Sequence, residues 1–417
     1  MGNPGGRLKI GILHYSCPPV VGGVEEIVKQ HAEVLNRLGQ QVQVWAGMGE
    51  VYTHDFPVRL DQRLGSQDPR IQEAGRRSLK GDHRLTRRLT SEILELLAEW
   101  GRDLDVVVAH NVLHMPFNLP LTLALRRLAG RKGTPRVVSW AHDAVYFRPR
   151  VDPFYFQTPW SVLKHRHPRI HYVTISQARR RLFERHLGDF DWKVVHNGID
   201  PASFFYLDPR TVRLAEETRL FQRDLVVVQP ARVTPRKNQE LAIRIVHGIK
   251  ELGRDVLFVL TGAYDPHFPE AVSYYQRLQA LIQGLDLQDN VVVLAEYRFA
   301  DGQPLMLDRV FIRDLYLLAD LLLLTSVDEG FGLPLLEAGM VKLPIACTDI
   351  DIFQELGREL CFIRPQDPPL FSAGRIMEYL ARTGPHKMYR RVMGDFLWSQ
   401  ICEREMLPFL EEAVGRS

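Results

Sequence analysis

Short runs of apolar, mostly β-branched residues alternate with stretches of helical periodicity, and this alternation limits the fold more than any other feature of the chain. In the first half the apolar runs are residues 10–15, 42–46, 106–110, 137–141 and 172–175. Between the first two runs, residues 24–38 have apolar residues at helical spacing and stop at Gly39, which predicts one strand–helix–strand unit. Repeated units of this kind predict a parallel sheet covered by helices.

The alternation stops at residues 194–201 and then starts again. Asn197-Gly198 and Asp200-Pro201 are strong turn signals in this stretch. The second series of apolar runs is residues 225–228, 256–261, 291–295, 321–325 and 344–348. A chain of 417 residues also exceeds what one hydrophobic core usually serves. We therefore predict an α/β protein with two doubly wound, Rossmann-like domains, residues 1–200 and 201–387, facing a central cleft. The aromatic tail 388–417 is expected to complete the first domain.

Composition and charge exclude several classes of protein. With 53 Lys and Arg against 50 Asp and Glu, the net charge of +3 does not indicate a nucleic-acid partner. The four cysteines are scattered without metal-ligand spacing, which predicts a reducing, cytoplasmic location and no metal site. The first six residues lack an apolar signal core, and no apolar run is long enough to cross a bilayer. The basic stretch 70–88 fits an anionic membrane surface, but such a run is usually a solvated helix or loop, which we favour.

The most informative motif lies between the apolar run 321–325 and a predicted helix starting at Pro334. Its sequence is Asp328-Glu329-Gly330-Phe331-Gly332-Leu333-Pro334-Leu335-Leu336-Glu337. The glycines let backbone N–H groups approach a ligand, and the helix start offers positive partial charge to a phosphate. Carboxylates would repel that phosphate, so Glu329 and Glu337 are expected to accept hydrogen bonds from hydroxyl groups beside it. The motif predicts a sugar-nucleotide site, although glycine turns also join strands to helices in many α/β proteins.

Other candidate residues follow the ends of predicted strands. Arg232 and Lys237 lie after the run 225–228 and are suited to neutralising a pyrophosphate, although an isolated basic turn is usually only solvated. His142 follows the run 137–141, and it either contacts a substrate hydroxyl or bonds a nearby carbonyl. The remaining candidates for an acceptor pocket are His110, Asn111, Asn118, Asp143 and the Gly22-Gly23 loop. Asp349-Ile350-Asp351 imitates a metal-binding Asp-x-Asp, but it falls beyond a late strand, and we expect it not to bind metal.

The ordered set of motifs resembles the retaining glycosyltransferases of the GT-B fold, which include glycogen synthases and bacterial mannosyl- and glucosyltransferases. The set comprises Gly22-Gly23, His142-Asp143, Asn197-Gly198-Ile199-Asp200, Arg232 with Pro235-Arg236-Lys237-Asn238, the Glu329-x7-Glu337 motif, and the tail around Trp398. One departure concerns the segment after Glu337: where many relatives have small residues, this chain has Met340-Val341-Lys342.

The resemblance implies a role for each matching residue. Glu329 would hold hydroxyls of the donor sugar, and Glu337 would accept from the nucleotide ribose. The backbone of Gly330, Phe331, Gly332 and Leu333 would contact the sugar and phosphate. Arg232 and Lys237 would bind the pyrophosphate, His142 would contact the transferred sugar, and the Gly22-Gly23 loop would close over donor and acceptor. The reaction would be a front-face substitution with no metal, no cofactor and no protein nucleophile.

We therefore expect a cytoplasmic hexosyltransferase that uses a nucleotide diphosphate sugar and a small polar acceptor. Residues 110–112 and 115–120 resemble transferases that build glucosylglycerate-type solutes, which makes GDP-mannose and UDP-glucose the leading donors. Two alternatives stay open. A GT-B-fold epimerase would convert the donor without an acceptor, and a non-catalytic sugar-nucleotide-binding subunit would bind the donor without turnover.

Overall fold

The computed structural model describes residues 6–262 and 271–415. Residues 1–5, which were considered for a signal core, and the last two residues of the predicted tail lie outside the described residues. The chain divides into two compact units. The first unit runs to Asp200 and takes in the tail from Phe396, and the second unit is Pro201–Asp395.

The first unit is a seven-stranded, fully parallel sheet with helices on both faces. Its strands are β1 Lys9–Ser16, β2 Gln41–Met48, β3 Val58–Leu60, β4 Val106–His110, β5 Arg136–Ala141, β6 Ile170–Thr174 and β7 Lys193–Val194. Its helices are α1 Gly23–Arg37, α2 Pro69–Leu79, α3 Arg84–Trp100, α4 Leu119–Gly130 and α5 Gln177–Leu187. The order β3-β2-β1-β4-β5-β6-β7 is that of a doubly wound Rossmann sheet.

The central strands of this sheet are apolar along their whole length because both faces are covered. In β1 every residue after Lys9 is buried, and Ile10 pairs with Val42 on one side and Val106 on the other. Separate hydrophobic clusters fill the two faces. The five predicted runs of this half are thus confirmed as strands, and the short strands β3 and β7 are additions.

The second unit has the same architecture with six parallel strands in the order β10-β9-β8-β11-β12-β13. Its strands are β8 Leu225–Gln229, β9 Val256–Leu260, β10 Val291–Val293, β11 Leu321–Leu324, β12 Ile345–Thr348 and β13 Cys361–Ile363. Its helices are α6 Pro201–Phe205, α7 Pro209–Glu217, α8 Gln239–Glu251, α9 Ala271–Gly284, α10 Arg309–Leu318, α11 Leu333–Met340, α12 Asp351–Leu356, α13 Pro369–Arg382 and α14 Gly384–Asp395. Helix α11 starts at Leu333, one residue before the predicted start. The two-domain α/β prediction is confirmed.

Short 3₁₀ turns interrupt the loops at Gln62–Leu64, Val145–Phe147, Pro153–Phe156, Trp160–Leu163, Leu220–Gln222, Pro235–Lys237 and Leu294–Glu296. Among the described residues, no helix is long and apolar enough to span a bilayer.

The tail from Phe396 packs on the first unit through α15 Trp398–Ile401, a π-helical turn Cys402–Met406 and α16 Leu407–Val414. The Trp398 ring lies edge-on to His31 with centroids 4.4 Å apart. We expected the tail to join the first unit from residue 388, but α14 belongs to the second unit. The reason is a buried carboxylate: Asp320 pairs with His386 at 3.1 Å and with Arg390 at 3.2 Å, which holds α14 in place.

Candidate active site

Two neighbouring parallel strands set the position of the principal site in the second unit. β8 and β11 pair in register, with Leu321 opposite Val227 and Leu322 opposite Val228. Since the carboxyl ends of parallel strands meet at one edge of the sheet, the loop after β8 and the loop after β11 leave the sheet side by side.

Buried polar side chains tie these two loops together. The Gln229 amide donates to Thr325 Oγ1 at 3.0 Å and to the Lys237 carbonyl at 3.2 Å. The Thr325 hydroxyl donates in turn to the Asn238 carbonyl at 2.8 Å. The Val327 N–H donates to the Arg236 carbonyl at 2.9 Å. Sequence reasoning missed this network, although a Gln and a Thr at the ends of two apolar runs were the available signal. Both side chains are fully buried in the structure.

The tied loops bring Lys237 and Glu329 into a close ion pair. Nζ of Lys237 lies 2.6 Å from each carboxylate oxygen of Glu329, and the two side chains are 14% and 10% exposed. The Arg236 guanidinium lies 3.9 Å from the Glu329 carboxylate and 3.8 Å from the Asp328 carboxylate. These distances and the low exposure make Lys237 and Glu329 a fixed, charge-assisted pair.

A cavity of about 680 Å³ opens over this pair. It is lined by Pro230, Ala231, Arg232, Thr234, Pro235, Arg236, Lys237, Glu329, Phe331, Gly332, Leu333 and Pro334. The structure thus brings together six predicted site residues in this cavity: Arg232, Lys237, Glu329, Phe331, Gly332 and Leu333. Three cationic side chains and the start of α11 make the cavity suitable for an anion.

The loop before α11 has the conformation that an anion cradle needs. Gly332 is the N-cap residue with φ of +82°, a left-handed conformation that favours glycine. A Cβ atom there would lie 3.0 Å from the Phe353 ring, whereas a Cβ atom on Gly330 would meet nothing within 4 Å. Within the described ranges, no group accepts a hydrogen bond from the backbone N–H of Phe331, Gly332 or Leu333. These donors are therefore available to a ligand.

Glu337 does not share this cavity with Glu329. It lies on α11 and accepts a hydrogen bond from the Tyr316 hydroxyl of α10 at 2.8 Å. Burial and this carboxylate raise the pKa of Tyr316. A second cavity of about 520 Å³ runs between the two helices and is lined by Leu307, Asp308, Arg309, Ile312, Arg313, Tyr316, Glu337, Met340 and Val341. Sequence reasoning missed the contribution of α10, since no motif marks it.

In the first unit, His110 and His142 come together as predicted from the ends of their strands. Nδ1 of His110 lies 3.3 Å from Nε2 of His142. Burial lowers the pKa of His142 to about 4 and that of His110 well below its ordinary value. Asn111 holds the turn, because its Oδ1 accepts from the backbone N–H groups of His142 and Asp143 at 3.3 and 2.9 Å. Both imidazoles are therefore neutral and fixed in place.

A second polar group in this unit surrounds the Gly22-Gly23 turn and was missed by sequence reasoning. The Ser16 hydroxyl donates to Glu25 Oε1 at 2.6 Å, and Nε2 of His14 lies 3.7 Å from the same oxygen. The neighbouring His14 ring, together with the Ser16 hydroxyl, lowers the pKa of Glu25 to about 2. A Cβ atom on Gly22 would lie 2.1 Å from the other Glu25 oxygen, whereas one on Gly23 would meet nothing within 4 Å. A side chain at Gly22 would therefore displace the Glu25 carboxylate from its present position.

Two of the predicted acceptor residues have other partners. Asn118 caps α4 by accepting from the Leu121 N–H at 3.0 Å, and its amide donates to the Arg63 and Gly65 carbonyls, each at 2.9 Å. The structure therefore gives Asn118 a structural role, because its amide hydrogens are both used within the protein. The half-exposed Asp143 accepts from the Ala144 N–H at 2.9 Å and lies 3.5 Å from Arg179.

A cavity of about 530 Å³ lies at the carboxyl ends of β1 and β2, near Ser16. It is lined by Tyr15, Ser16, Gly47, Met48, Gly49, Leu60, Gln62, Gly65, Ser66, Gln67, Asp68 and Pro69. The one charged side chain in this lining, Asp68, is paired with Arg70 at 2.7 Å. The cavity therefore presents mostly neutral polar groups and backbone.

Among the described residues, no three His, Cys, Asp or Glu side chains are grouped closely enough to hold a metal ion. The four cysteines are buried and not in disulfides. In the basic stretch 70–88, arginines pair with nearby acids, including Arg77 with Glu73 at 2.7 Å and Arg84 with Asp82 at 3.1 Å. The pairing fits the solvated-helix interpretation.

Two models of known protein families match the chain, one after the other along the sequence. Residues 21–203 match the model described as Glycosyltransferase Family 4, and residues 213–360 match the one described as Glycosyl transferases group 1. Together the two matches take in most of the chain, about one for each unit. The chain therefore belongs to the GT-B glycosyltransferases, and its two Rossmann-like sheets are the two domains of that fold.

Several known proteins are similar in sequence to this chain. A mannosylglucosylglycerate synthase of Thermotoga maritima is 24% identical over 368 residues, which cover 83% of this chain and 82% of that protein. The synthase of Petrotoga mobilis with the same name is 23% identical over 275 residues, 61% of each chain. Among solved structures, a glycosyltransferase from Rickettsia africae aligns over 99% of this chain and 100% of its own, with 16% identity and a TM-score of 0.39. The assignment to the family rests on the family models and the sheet orders.

Proposed function

We propose that this glycosyltransferase is a retaining hexosyltransferase that moves mannose or glucose from a nucleoside diphosphate sugar to a hydroxyl group of a small polar acceptor. We further propose that it acts in the cytoplasm and needs no metal. The names of the Thermotoga and Petrotoga relatives, which contain both mannosyl and glucosyl groups, support the choice of hexose. The buried, free cysteines are consistent with a reducing compartment.

One observation carries the proposal: Lys237 and Glu329 meet at 2.6 Å in a cavity that also contains Arg232 and the start of α11. A sugar diphosphate has anionic oxygens beside a ring of hydroxyl groups. Its anionic oxygens need cationic hydrogen-bond donors, its hydroxyl groups need a carboxylate acceptor, and the two must lie at neighbouring positions. The Lys237–Glu329 pair supplies one of each.

In the proposed reaction the bond between the anomeric carbon and the donor phosphate oxygen breaks, and the acceptor hydroxyl oxygen attacks the same face. The acceptor proton passes to the departing phosphate oxygen. Lys237 and Arg232 stabilise the negative charge on the leaving diphosphate, and the backbone N–H groups before α11 assist them. Glu329 holds the donor hydroxyls, and His142 contacts the transferred sugar.

For the acceptor we propose the first unit, where the cavity near Ser16 has room for a small hydroxyl-rich molecule. Its neutral polar lining suits hydroxyl groups. For the nucleoside we propose the side of α11 that carries Glu337. The Glu337 carboxylate would accept hydrogen bonds from the ribose hydroxyls in place of the hydrogen bond from the Tyr316 hydroxyl.

The test is a transfer assay in which the product is examined by NMR. The protein is incubated with UDP-glucose or GDP-mannose and small polyol or glycoside acceptors in the presence of EDTA. The one-bond carbon–proton coupling at the anomeric centre of the product gives its configuration. We expect transfer with retention and no loss of activity on chelation.

Four outcomes would contradict parts of the proposal. An inverted product would overturn the retaining mechanism, and activity lost on chelation would overturn metal independence. Epimerisation of the donor without acceptor, or donor binding without any turnover, would favour one of the two alternatives over a transferase.

A further inference from the structure

The ring of His142 can present either a proton or a lone pair to a ligand, depending on which nitrogen is protonated. Its Nε2 lies 3.3 Å from Nδ1 of His110. Its Nδ1 has no hydrogen-bond partner within the described parts of the chain. The contact with His110 therefore decides what Nδ1 offers, since a neutral imidazole carries one proton.

The surroundings of His110 favour one direction for this hydrogen bond. His110 is fully buried, stacks on the Trp140 ring with centroids 5.5 Å apart, and has the His31 ring edge-on at 5.0 Å. Its Nε2 is buried and has no hydrogen-bond partner among the described residues. If His142 were the donor, His110 would carry its proton on Nε2, which would leave a buried N–H without an acceptor. Such groups are rare and costly.

The opposite direction leaves only a lone pair of His110 without a partner. The neighbouring contacts hold the geometry: Nδ1 of His14 donates to the backbone carbonyl of His110 at 2.7 Å, which fixes the end of β4. The Arg179 guanidinium adds to the effect of burial in lowering the pKa of His142, and it lies 3.5 Å from Asp143.

We propose that His110 is a positioning residue whose Nδ1–H donates to Nε2 of His142, so that His142 is held as the Nδ1–H tautomer and offers that N–H to an oxygen atom of the transferred sugar. The ligand in this statement rests on the proposed function, but the tautomer does not. Burial lowers the pKa of both rings, which keeps the pair neutral near pH 7.

The tautomer is measured directly by long-range proton–nitrogen NMR on full-length protein labelled with ¹⁵N-histidine. The signals of His142 are assigned by their loss in His142→Gln. We expect the nitrogen shifts of wild-type His142 to show a protonated Nδ1 and an unprotonated Nε2. A protonated Nε2 on His142 in the wild type would overturn the proposal whatever the enzyme's activity.

Three variants separate positioning from packing. His110→Phe keeps a buried ring without nitrogen, and we expect His142 to shift toward the Nε2–H tautomer, with kcat lowered about tenfold, the scale of one hydrogen bond. His110→Asn puts an amide donor near the place of Nδ1, and it is expected to restore the wild-type tautomer and most of kcat. His31→Phe is the matched control, because His31 packs against His110 without bonding His142.

The readouts keep this proposal distinct from the function on which it draws. The expected tautomer together with no transferase activity would contradict the proposed function alone. Equal tautomer and kcat in wild type and His110→Phe, or an equal loss in His31→Phe and His110→Phe, would contradict the positioning role.

Discussion

At the residue scale, the ion pair between Lys237 and Glu329 is the feature from which the chemistry of the second unit follows. Arg232 and Lys237 were predicted as phosphate ligands and Glu329 as a sugar ligand, and the structure puts them in one cavity. The sequence did not reveal that Lys237 and Glu329 contact each other. That contact depends on the pairing of β8 with β11 and on buried bonds from Gln229 and Thr325, which no local motif encodes.

Replacing Lys237 tests its role in the reaction. Lys237→Ala should lower kcat by on the order of a hundredfold or more, because it removes a group that stabilises charge developing on the leaving diphosphate. Steady-state transfer kinetics measure the effect. Lys250→Ala is the control, because Lys250 lies on α8 and donates to the Asp286 carbonyl, away from the cavity lining. Wild-type kcat in Lys237→Ala would refute the assignment.

Glu337 is expected to act on binding rather than on chemistry. Glu337→Ala should raise the donor KM about tenfold and change kcat little, since a ribose contact is the same in the ground and transition states. Tyr316→Phe, which removes the hydrogen-bond donor but keeps the ring, should leave KM unchanged or lower it. An unchanged KM in Glu337→Ala would remove Glu337 from the nucleotide site.

At the element scale, the loop between β11 and α11 illustrates what a motif can and cannot predict. The strand, the glycines and the helix were predicted in order, and each is present. The different needs of the two glycines were not predictable, because they depend on a left-handed N-cap at Gly332 and on the ring of Phe353 packed beside it. Likewise the periodicity of the tail did not show that Asp320 anchors α14 in the second unit.

Alanine at the two glycines should therefore have unequal effects. Gly332→Ala should destabilise the loop by roughly 1–2 kcal/mol, the cost of a left-handed conformation for an L-residue, and weaken donor binding about tenfold. Gly330→Ala, with open space around the new Cβ, should change the stability by no more than about 0.5 kcal/mol. Urea unfolding measures the stability of both variants, and calorimetric titration with the donor measures binding in Gly332→Ala. Equal losses of stability in the two variants would contradict the conformational argument.

At the scale of the whole molecule, the two-domain fold could be predicted from the sequence because strand and helix periods alternate through the chain. The family models confirm the class of glycosyltransferase. The cluster of buried histidines in the first unit was harder to predict from the sequence. These residues lie on β1, α1, β4 and the loop after β5, and only the sheet order brings them together. Their burial gives this unit a predictable response to pH.

Acid should destabilise the first unit because buried histidines stay neutral when the chain is folded. Burial lowers the pKa of His31 from 6.5 to about 3. The unfolded chain then binds the extra proton as the pH falls below 6.5, so stability is full above that value and declines toward pH 3. Between pH 7.5 and 5, His31 alone should remove on the order of 2 kcal/mol.

Tryptophan fluorescence can follow this response, because all six tryptophans lie in the first unit. Urea unfolding is measured at the two pH values for wild type and His31→Phe. We expect the variant to lose less stability than the wild type between pH 7.5 and 5, whatever its stability at pH 7.5. An equal loss in both proteins would contradict a neutral, buried His31.

The central claim, that a nucleoside diphosphate sugar binds at the Lys237–Glu329 pair, is tested most directly by a thermal-shift titration. Full-length wild type and Lys237→Ala are titrated with UDP-glucose, GDP-mannose and ADP-glucose, since a ligand that binds only the folded form raises the melting temperature. We predict that one of these donors raises the melting temperature of the wild type and that Lys237→Ala loses most of the rise. No rise with any donor, or an equal rise in both proteins, would contradict the account.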